Sequence, residues 1–174
     1  MVELILADHR RFEALLRQLR DSTSDRDAVR RALAALQVAH GEAEERHVYP
    51  ALRKKRAIGS HEEEHSEEEH AEGNSALLAL LELKGTDTQA FDDAVQKLAE
   101  ALNHHLTEEE LTILNPAREE VSADARAKLG LDFVTERNAQ IDADCGRIEN
   151  VRAIVARAEE QGLLDEQQGG SDGE

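Results

Sequence analysis

The feature of this sequence that most constrains its fold is a pair of ionisable residues on an apolar helix face. His40 and Glu44 lie four residues apart, so on a helix they share one face, one turn apart. They continue an apolar stripe of helical spacing formed by Val29, Leu33 and Leu36. A helix with this pattern carries both ionisable side chains into the core. A buried charge is costly unless it is paired or bound to a metal ion, so other parts of the chain must supply partners.

Composition and charge narrow the class of protein. The sequence has only two prolines and ten glycines in 174 residues, which favours helix throughout. The net charge of −17 argues against nucleic-acid and anionic-membrane partners, which require a basic surface. The single cysteine excludes a disulfide framework, and there is neither a signal-peptide pattern nor an apolar run of about 20 residues. We therefore expect a cytoplasmic protein with no membrane and no nucleic-acid partner.

Hydrophobic periodicity predicts an all-α fold. Four long helices are predicted at about 1–20, 25–50, 61–83 and 88–114, the last ended by Asn115-Pro116. Continuation of the second helix a few residues past Pro50 stays open. Helices of similar length joined by short loops predict an up-down-up-down four-helix bundle over residues 1–117.

A C-terminal helical extension is predicted over residues 118–165, as a short helix at 122–128 before Gly130 and a longer one at about 132–161. We expect it to pack on the bundle or to mediate a dimer, so that the protein is a monomer or a homodimer. Residues 166–174 are polar and glycine-rich, and they are predicted to be a disordered tail.

Histidines followed by a carboxylate at helical spacing are common in this chain. Five of them have Glu four residues later: His9, His40, His65, His104 and His105. With 38 acidic residues in 174, the spacing alone is weak evidence. The apolar stripes decide which pairs matter. They select His40 with Glu44, His105 with Glu109, and His9 without its Glu13, whereas the pair His104 and Glu108 is expected to face water.

The third helix offers three histidines. In an antiparallel bundle, residues equidistant from a loop lie at one height, which places the third helix's contribution at about residues 64–72. The leucines later in that helix point within about 30° of His70 but about 110° from His65. We rank His70 first and His65 second. His61 is less favoured because it lies near the helix end, and Glu69 stays open as a candidate.

These donor types indicate a metal centre. Imidazole and carboxylate without thiolate suit Fe, Mn or Zn. Two glutamates with four or five histidines are too many ligands for one ion but enough for two neighbouring ions, with each glutamate able to bridge them. Open coordination positions would let O₂ or peroxide bind.

The combined pattern resembles the hemerythrin-like family, the HHE cation-binding domain, over residues 1–117. The matching segments are Asp8-His9, His40 to Glu45 with Tyr49-Pro50, Glu68-Glu69-His70, and His105 to Glu109 with Pro116. The resemblance implies a four-helix bundle that holds two Fe ions in an oxo- or hydroxo-bridged pair, with Mn or Zn as alternatives. It implies that Glu44 and Glu109 bridge the ions. It also implies terminal ligands (His9, His40, His70 and His105), with His65 or His61 as a fifth histidine.

Tyr49, the only tyrosine, lies five residues beyond Glu44, which is about 140° round from it on a regular helix. It either packs beside Pro50 at the helix end, or is a phenolate ligand or a hydrogen-bond donor near the ions. His47 is expected at the edge of the core.

The resemblance implies O₂, H₂O₂ or NO as small-molecule ligands. Our first hypothesis is catalase-like breakdown of H₂O₂ by a centre that cycles between diferrous and diferric states, in oxidative-stress defence. The alternatives are reversible O₂ binding or sensing, iron or nitrosative-stress handling without turnover, and a metal-free bundle that buries neutral histidines.

Overall fold

The computed structural model describes residues 1–164, and within them it consists of helices joined by short loops, without a strand. The α-helices are α1 (Val2–Arg20), α2 (Arg26–Ala43), α3 (Tyr49–Lys54), α4 (Ser60–Glu82), α5 (Gln89–Glu109), α6 (Asn115–Glu120), α7 (Ala123–Asp142) and α8 (Ile148–Gln161). The prediction of an all-α protein is confirmed. The predicted disordered tail, 166–174, lies outside the described residues. No helix formed by residues 1–164 is both long and apolar enough to cross a membrane.

The four long helices α1, α2, α4 and α5 pack around a common core. Each of them contacts two of the others: α1 packs against α2 and α5, and α4 packs against the same two helices. Their apolar stripes point inward, so that each helix has at least one large side chain fully buried (for example Phe12, Leu33, Leu77 and Leu98). This packing is consistent with a four-helix bundle.

The core contains two apolar clusters. We call the first the Phe12 cluster; it also contains Leu33, Leu77 and Leu98. The second is the Tyr49 cluster, which also contains Ile5, Leu52, Ile113 and Phe133. On α1 and α2, buried polar residues stand between the parts that belong to the two clusters. On α4 they lie between Ile58, just before the helix, and Leu77, and Glu109 of α5 lies between Leu106 and Ile113 of the π-helical continuation. A polar layer therefore divides the core of the bundle.

Two of the long helices continue through a π-helical segment, Glu44–Val48 after α2 and Glu110–Leu114 after α5. The Tyr49 N–H donates to the Glu44 carbonyl, and the Asn115 N–H donates to the Glu110 carbonyl, five residues back instead of four. The helical chain then runs on through Pro50 and Pro116, so the prediction that Asn115-Pro116 ends the fourth helix is wrong. A proline has no N–H and its ring crowds the carbonyl four residues earlier, and the wider turn accommodates both.

The extension folds differently from its predicted helices. Helix α7 runs across Gly130, and the chain turns between Asp142 and Ile148, so the predicted helices at 122–128 and 132–161 are wrong. Gly130 does not break the helix. It allows the backbone of α7 to approach Met1 closely, because a Cβ atom there would lie 2.5 Å from the Met1 nitrogen. The turn forms where Asp144 adopts a left-handed backbone, with φ of 57°. Helix α7 packs on α2, and α8 packs on α4.

Candidate metal centre

Six ionisable side chains meet in the polar layer of the bundle. They are His9 from α1, His40 and Glu44 from α2 and its π-helical continuation, His70 from α4, and His105 and Glu109 from α5. All six are buried. The structure therefore brings together the six residues that the apolar stripes and the resemblance selected, although they come from four helices.

The six residues form two groups that could each hold a metal ion. One ligand atom from each of His9, His40, Glu44 and Glu109 lies within 4.8 Å of the others, and the same holds for Glu44, His70 and His105. Glu44 belongs to both groups. A carboxylate has two oxygen atoms, so Glu44 is placed to join two neighbouring ions.

The contacts inside the first group fit a set of atoms that surround one metal ion. His9 Nε2 lies 3.0 Å from Glu109 Oε2, and His40 Nε2 lies 3.1 Å from Glu44 Oε2. Within residues 1–164, both of these nitrogens and Glu109 Oε2 are buried without a hydrogen-bond partner. Two neighbouring ligands about 2.1 Å from an octahedral ion lie about 3.0 Å apart. The buried atoms therefore fit a shared metal ion.

Each inward histidine has a carboxylate behind it. The Nδ1 distances are 2.9 Å from His9 to Glu110, 3.4 Å from His40 to Asp8, 2.7 Å from His70 to Glu45 and 3.0 Å from His105 to Glu69. Histidine ligands of metal ions typically place the second ring nitrogen on such a carboxylate, which fixes the ring and its tautomer. Each Nε2 is then left for the centre.

Sequence reasoning did not identify the roles of these four carboxylates, and only Glu69 was kept as a candidate. A signal was present, because each one is the chain neighbour of a residue of the centre. Asp8 precedes His9, and Glu69 precedes His70, while Glu45 and Glu110 follow the two buried glutamates. Each carboxylate orients a histidine on a different helix from its own neighbour, which the sequence does not reveal.

Helix α7 of the extension reaches the centre through Asp8. Arg137 Nη1 lies 2.7 Å from both carboxylate oxygens of Asp8, and the Phe133 ring packs edge-on against His40 with 5.6 Å between ring centroids. Residues outside the bundle therefore hold the carboxylate that orients His40.

Tyr49 also lies in the polar layer. Its hydroxyl oxygen is 3.4 Å from Glu44 Oε2, 3.3 Å from Glu109 Oε1 and 3.5 Å from His70 Nε2. The expectation that it lies about 140° round from Glu44 assumed a regular helix. The π-helical segment between them adds a residue to the turn, so five residues bring Tyr49 back to the face of Glu44.

The buried charges shift one another's protonation. Burial raises the pKa of Tyr49 well above its usual value, with Glu109 and Glu44 adding to the effect. Burial alone would raise the pKa of Glu44, but His40 and His70 hold it well below the usual value. Burial opposes the charged form of His40, but Glu44 and Asp8 still raise its pKa to about 9. Without a cation, the centre therefore keeps protons on histidine.

The remaining histidines lie outside the two buried groups. The structure places His65 at the surface, with Nε2 3.5 Å from Glu69 and its side chain 46% exposed. His61 stacks on it, with 6.2 Å between ring centroids. His104 faces solvent, as expected, and His47 lies at the edge of the core, 3.6 Å from Glu136. Of the third-helix histidines, the structure brings only His70 to the centre.

A small cavity of about 20 Å³ lies beside the centre. Its walls include His40, His70 and His105, with Phe12 and Leu102 on the apolar side. Space of this size holds one water-sized molecule. The cavity therefore gives a small ligand a place next to three of the histidines.

Fold and site together define a helical cation-binding protein. The Hemerythrin HHE cation binding domain family model matches residues 1–117, which is two thirds of the chain and contains all six residues of the centre. The chain belongs to this family, so the resemblance seen in its sequence is confirmed. No curated protein and no solved structure matches it.

Proposed function

We propose that the protein holds two iron ions and breaks down hydrogen peroxide to water and O₂. The observation that carries the proposal is the position of Glu44, which belongs to both buried groups beside the small cavity. Four imidazoles favour iron over manganese, which prefers oxygen ligands. Zinc does not change its oxidation state, so it would not support peroxide turnover.

The proposal includes an up-down-up-down arrangement of the four long helices. Helix α1 passes from residues of the Tyr49 cluster to residues of the Phe12 cluster, and α2 passes back. The chain enters α4 just after Ile58 of the Tyr49 cluster and reaches Leu77 of the Phe12 cluster, and α5 begins in the Phe12 cluster and its continuation reaches Ile113 of the Tyr49 cluster. Each helix then crosses the polar layer once, and each contributes ligands to the same two ions.

Peroxide breakdown requires both electrons and protons. Reduction of one H₂O₂ to two H₂O takes two electrons and two protons, and oxidation of a second H₂O₂ to O₂ returns them. When bound, two iron ions would store the two electrons between these half-reactions. The chain must position the peroxide and hold the protons. The cavity beside His70 and His105, about 20 Å³, has room for one small molecule.

Two side chains that contact residues of the centre are placed to handle protons. The Tyr49 hydroxyl contacts Glu44, Glu109 and His70, so it could donate a proton at the centre or, as phenolate, help to hold a metal ion. Glu45 lies 2.7 Å from His70 Nδ1 and its side chain is 40% exposed. It can therefore exchange protons between the His70 ring and bulk water.

O₂ release from H₂O₂ by iron-loaded protein, followed with an oxygen electrode, tests this function. We expect two irons per chain and turnover that falls at least about 100-fold in Glu44→Ala/Glu109→Ala. His47→Ala is the matched control, since it removes a histidine outside the centre. O₂ release no faster than in the Glu44→Ala/Glu109→Ala protein overturns the proposal. A stable, reversible absorption band on exposure of the reduced protein to O₂ would then assign reversible O₂ binding instead.

Tyr49→Phe separates the two roles of the tyrosine. If Tyr49 binds as phenolate, the iron-loaded protein shows a visible charge-transfer band that the variant lacks. If the hydroxyl donates a hydrogen bond, the band is absent from both proteins, and turnover falls by about tenfold or more with iron content unchanged. Unchanged turnover and an unchanged spectrum would remove Tyr49 from the proposal.

A further inference from the structure

A second cluster of metal-binding side chains lies on the surface formed by α4 and α5. His65 and Glu69 stand one turn apart on α4, and His104 reaches them from α5. One ligand atom of each lies within 4.8 Å of the other two. Neither of these histidines belongs to the buried groups, so the cluster is a separate feature.

Glu69 supplies the atom on which this cluster converges. Its side chain is only 5% exposed, and Oε1 lies 3.3 Å from His104 Nε2 and 3.5 Å from His65 Nε2. Within residues 1–164, this buried oxygen has no hydrogen-bond partner. A buried carboxylate oxygen left without a partner is costly. Two ligands about 2.1 Å from a tetrahedral ion lie about 3.4 Å apart, which matches both distances.

We propose that His65, Glu69 and His104 form a mononuclear surface site for a divalent first-row transition-metal ion, with water completing its coordination. Two imidazoles and one carboxylate suit Zn²⁺ or Fe²⁺, and three protein ligands leave a position open for water. The two histidine side chains are 46% and 61% exposed, so an ion from solution reaches them without any opening of the bundle.

The surroundings of the cluster favour a cation. Glu68 Oε2 lies 3.8 Å from His65 Nδ1, so a second carboxylate stands near this ring in addition to Glu69. The chain carries a net charge of −17, which raises the concentration of cations at its surface.

Glu69 also joins the surface site to the buried centre. Its other oxygen, Oε2, lies 3.0 Å from His105 Nδ1. An ion on Oε1 draws charge from the carboxylate, so the carboxylate holds the His105 ring less strongly. This link rests on the proposed function, whereas the surface site stands on its own three residues. By reciprocity, any effect of the surface ion on metal affinity at the centre equals the effect of the centre on the surface ion.

Zinc binding to the iron-loaded protein tests the surface site. Zn²⁺ is titrated calorimetrically into wild type and into His65→Ala/His104→Ala, and iron content is measured before and after. We expect one zinc per wild-type chain beyond the iron, and at least about tenfold weaker binding in the double variant. Both substitutions are at exposed side chains, so the fold is kept, as circular dichroism will verify.

His47→Ala serves as the control, because His47 is a partly exposed histidine beside a single carboxylate. Its zinc affinity should equal that of wild type. Anomalous diffraction from zinc-soaked crystals should place the ion between His65, Glu69 and His104. Equal zinc binding by wild type and His65→Ala/His104→Ala, or a zinc peak only elsewhere, overturns the proposal. If the protein binds zinc at this site but holds no iron after iron loading, the surface site is supported and the proposed function is contradicted.

Discussion

The two buried carboxylates behind the metal centre, Asp8 and Glu69, make an instructive comparison. Each holds the Nδ1 of an inward histidine, His40 for Asp8 and His105 for Glu69. Asp8 is paired with Arg137 of α7, whose guanidinium is charged at every physiological pH. The other oxygen of Glu69 faces two surface histidines instead, whose side chains are 46% and 61% exposed to solvent.

We call the side of the centre held by Asp8 and Arg137 the fixed end, and the side held by Glu69 the adjustable end. The negative charge of Asp8 is permanently compensated from within the fold, at the place where the extension packs on the bundle. Glu69 receives its compensation from groups that exchange with solvent. The two ends orient their histidines in the same way, but their carboxylates have different partners. We therefore expect them to respond differently to mutation, to metal ions and to pH.

The largest expected effect follows from the residue that belongs to both ends of the centre. Glu44→Gln keeps the size of the side chain but removes the carboxylate charge that belongs to both groups of ligands. We expect loss of iron from both groups and a fall in peroxide turnover of at least about 100-fold. Metal analysis and the oxygen electrode measure the two effects. Retention of two irons per chain would contradict the assignment of Glu44 as the shared ligand.

The next effect tests the fixed end. Arg137→Met leaves the Asp8 carboxylate buried without its cation, which is expected to destabilise the protein by about 3 kcal/mol in urea unfolding. Asp8→Asn/Arg137→Met removes the unpaired charge as well, so it should be less destabilised than the single variant. His65→Ala/His104→Ala at the adjustable end should change stability little, because its side chains are exposed. Equal destabilisation by Arg137→Met and by His65→Ala/His104→Ala would contradict the difference between the two ends.

A smaller effect is expected where the cavity meets His70. In Gly41→Ala the new Cβ would lie 3.3 Å from His70 Nδ1, so it crowds a ring of the centre. We expect about tenfold lower peroxide turnover, with iron content kept, in initial-rate measurements. In the matched variant Gly73→Ala the Cβ meets Gln37 Nε2 at the same 3.3 Å, and this amide is the end of a flexible side chain. A smaller loss is expected there, and an equal loss in both variants would argue against a specific role for His70.

The pH dependence of stability also sharpens the comparison. Folding raises the pKa of His40 to about 9 in the metal-free protein. A raised pKa stabilises the fold fully below the unfolded value of about 6.5, and this contribution is lost as pH rises through about 9. Urea unfolding of the metal-free protein should therefore show decreasing stability over this range. An unchanged or rising stability would contradict the burial of a protonated His40.

Metal loading responds to pH in the opposite direction. Histidine ligands must be neutral to bind, so iron should be lost as pH falls well below about 6.5. Dialysis at a series of pH values followed by metal analysis measures this loss. Full retention of iron at about pH 4 would argue against a histidine-rich centre.

Much of the centre was predictable from sequence because apolar stripes report which face of a helix is buried. His40, Glu44, His105 and Glu109 stand out as polar residues on such stripes, and the structure places all four in the polar layer. The stripe on the third helix was sufficient to rank His70 above His65. Helix boundaries were less predictable, since Gly130 has two uses, as a helix break or as a site of close packing, and its sequence signal is the same for both.

The sequence alone determined the all-α class, the family and the six side chains that meet in the polar layer, because these depend on periodicity and residue type within single helices. Only the tertiary structure decided what surrounds those six. Tyr49 reaches the centre because a π-helical turn changes the phase of its helix, and Arg137 reaches Asp8 across 129 residues of chain. The partners of Glu69 come from two helices that meet only in the folded protein. A contact between helices depends on how they pack against each other, which the spacing of residues along one helix does not record.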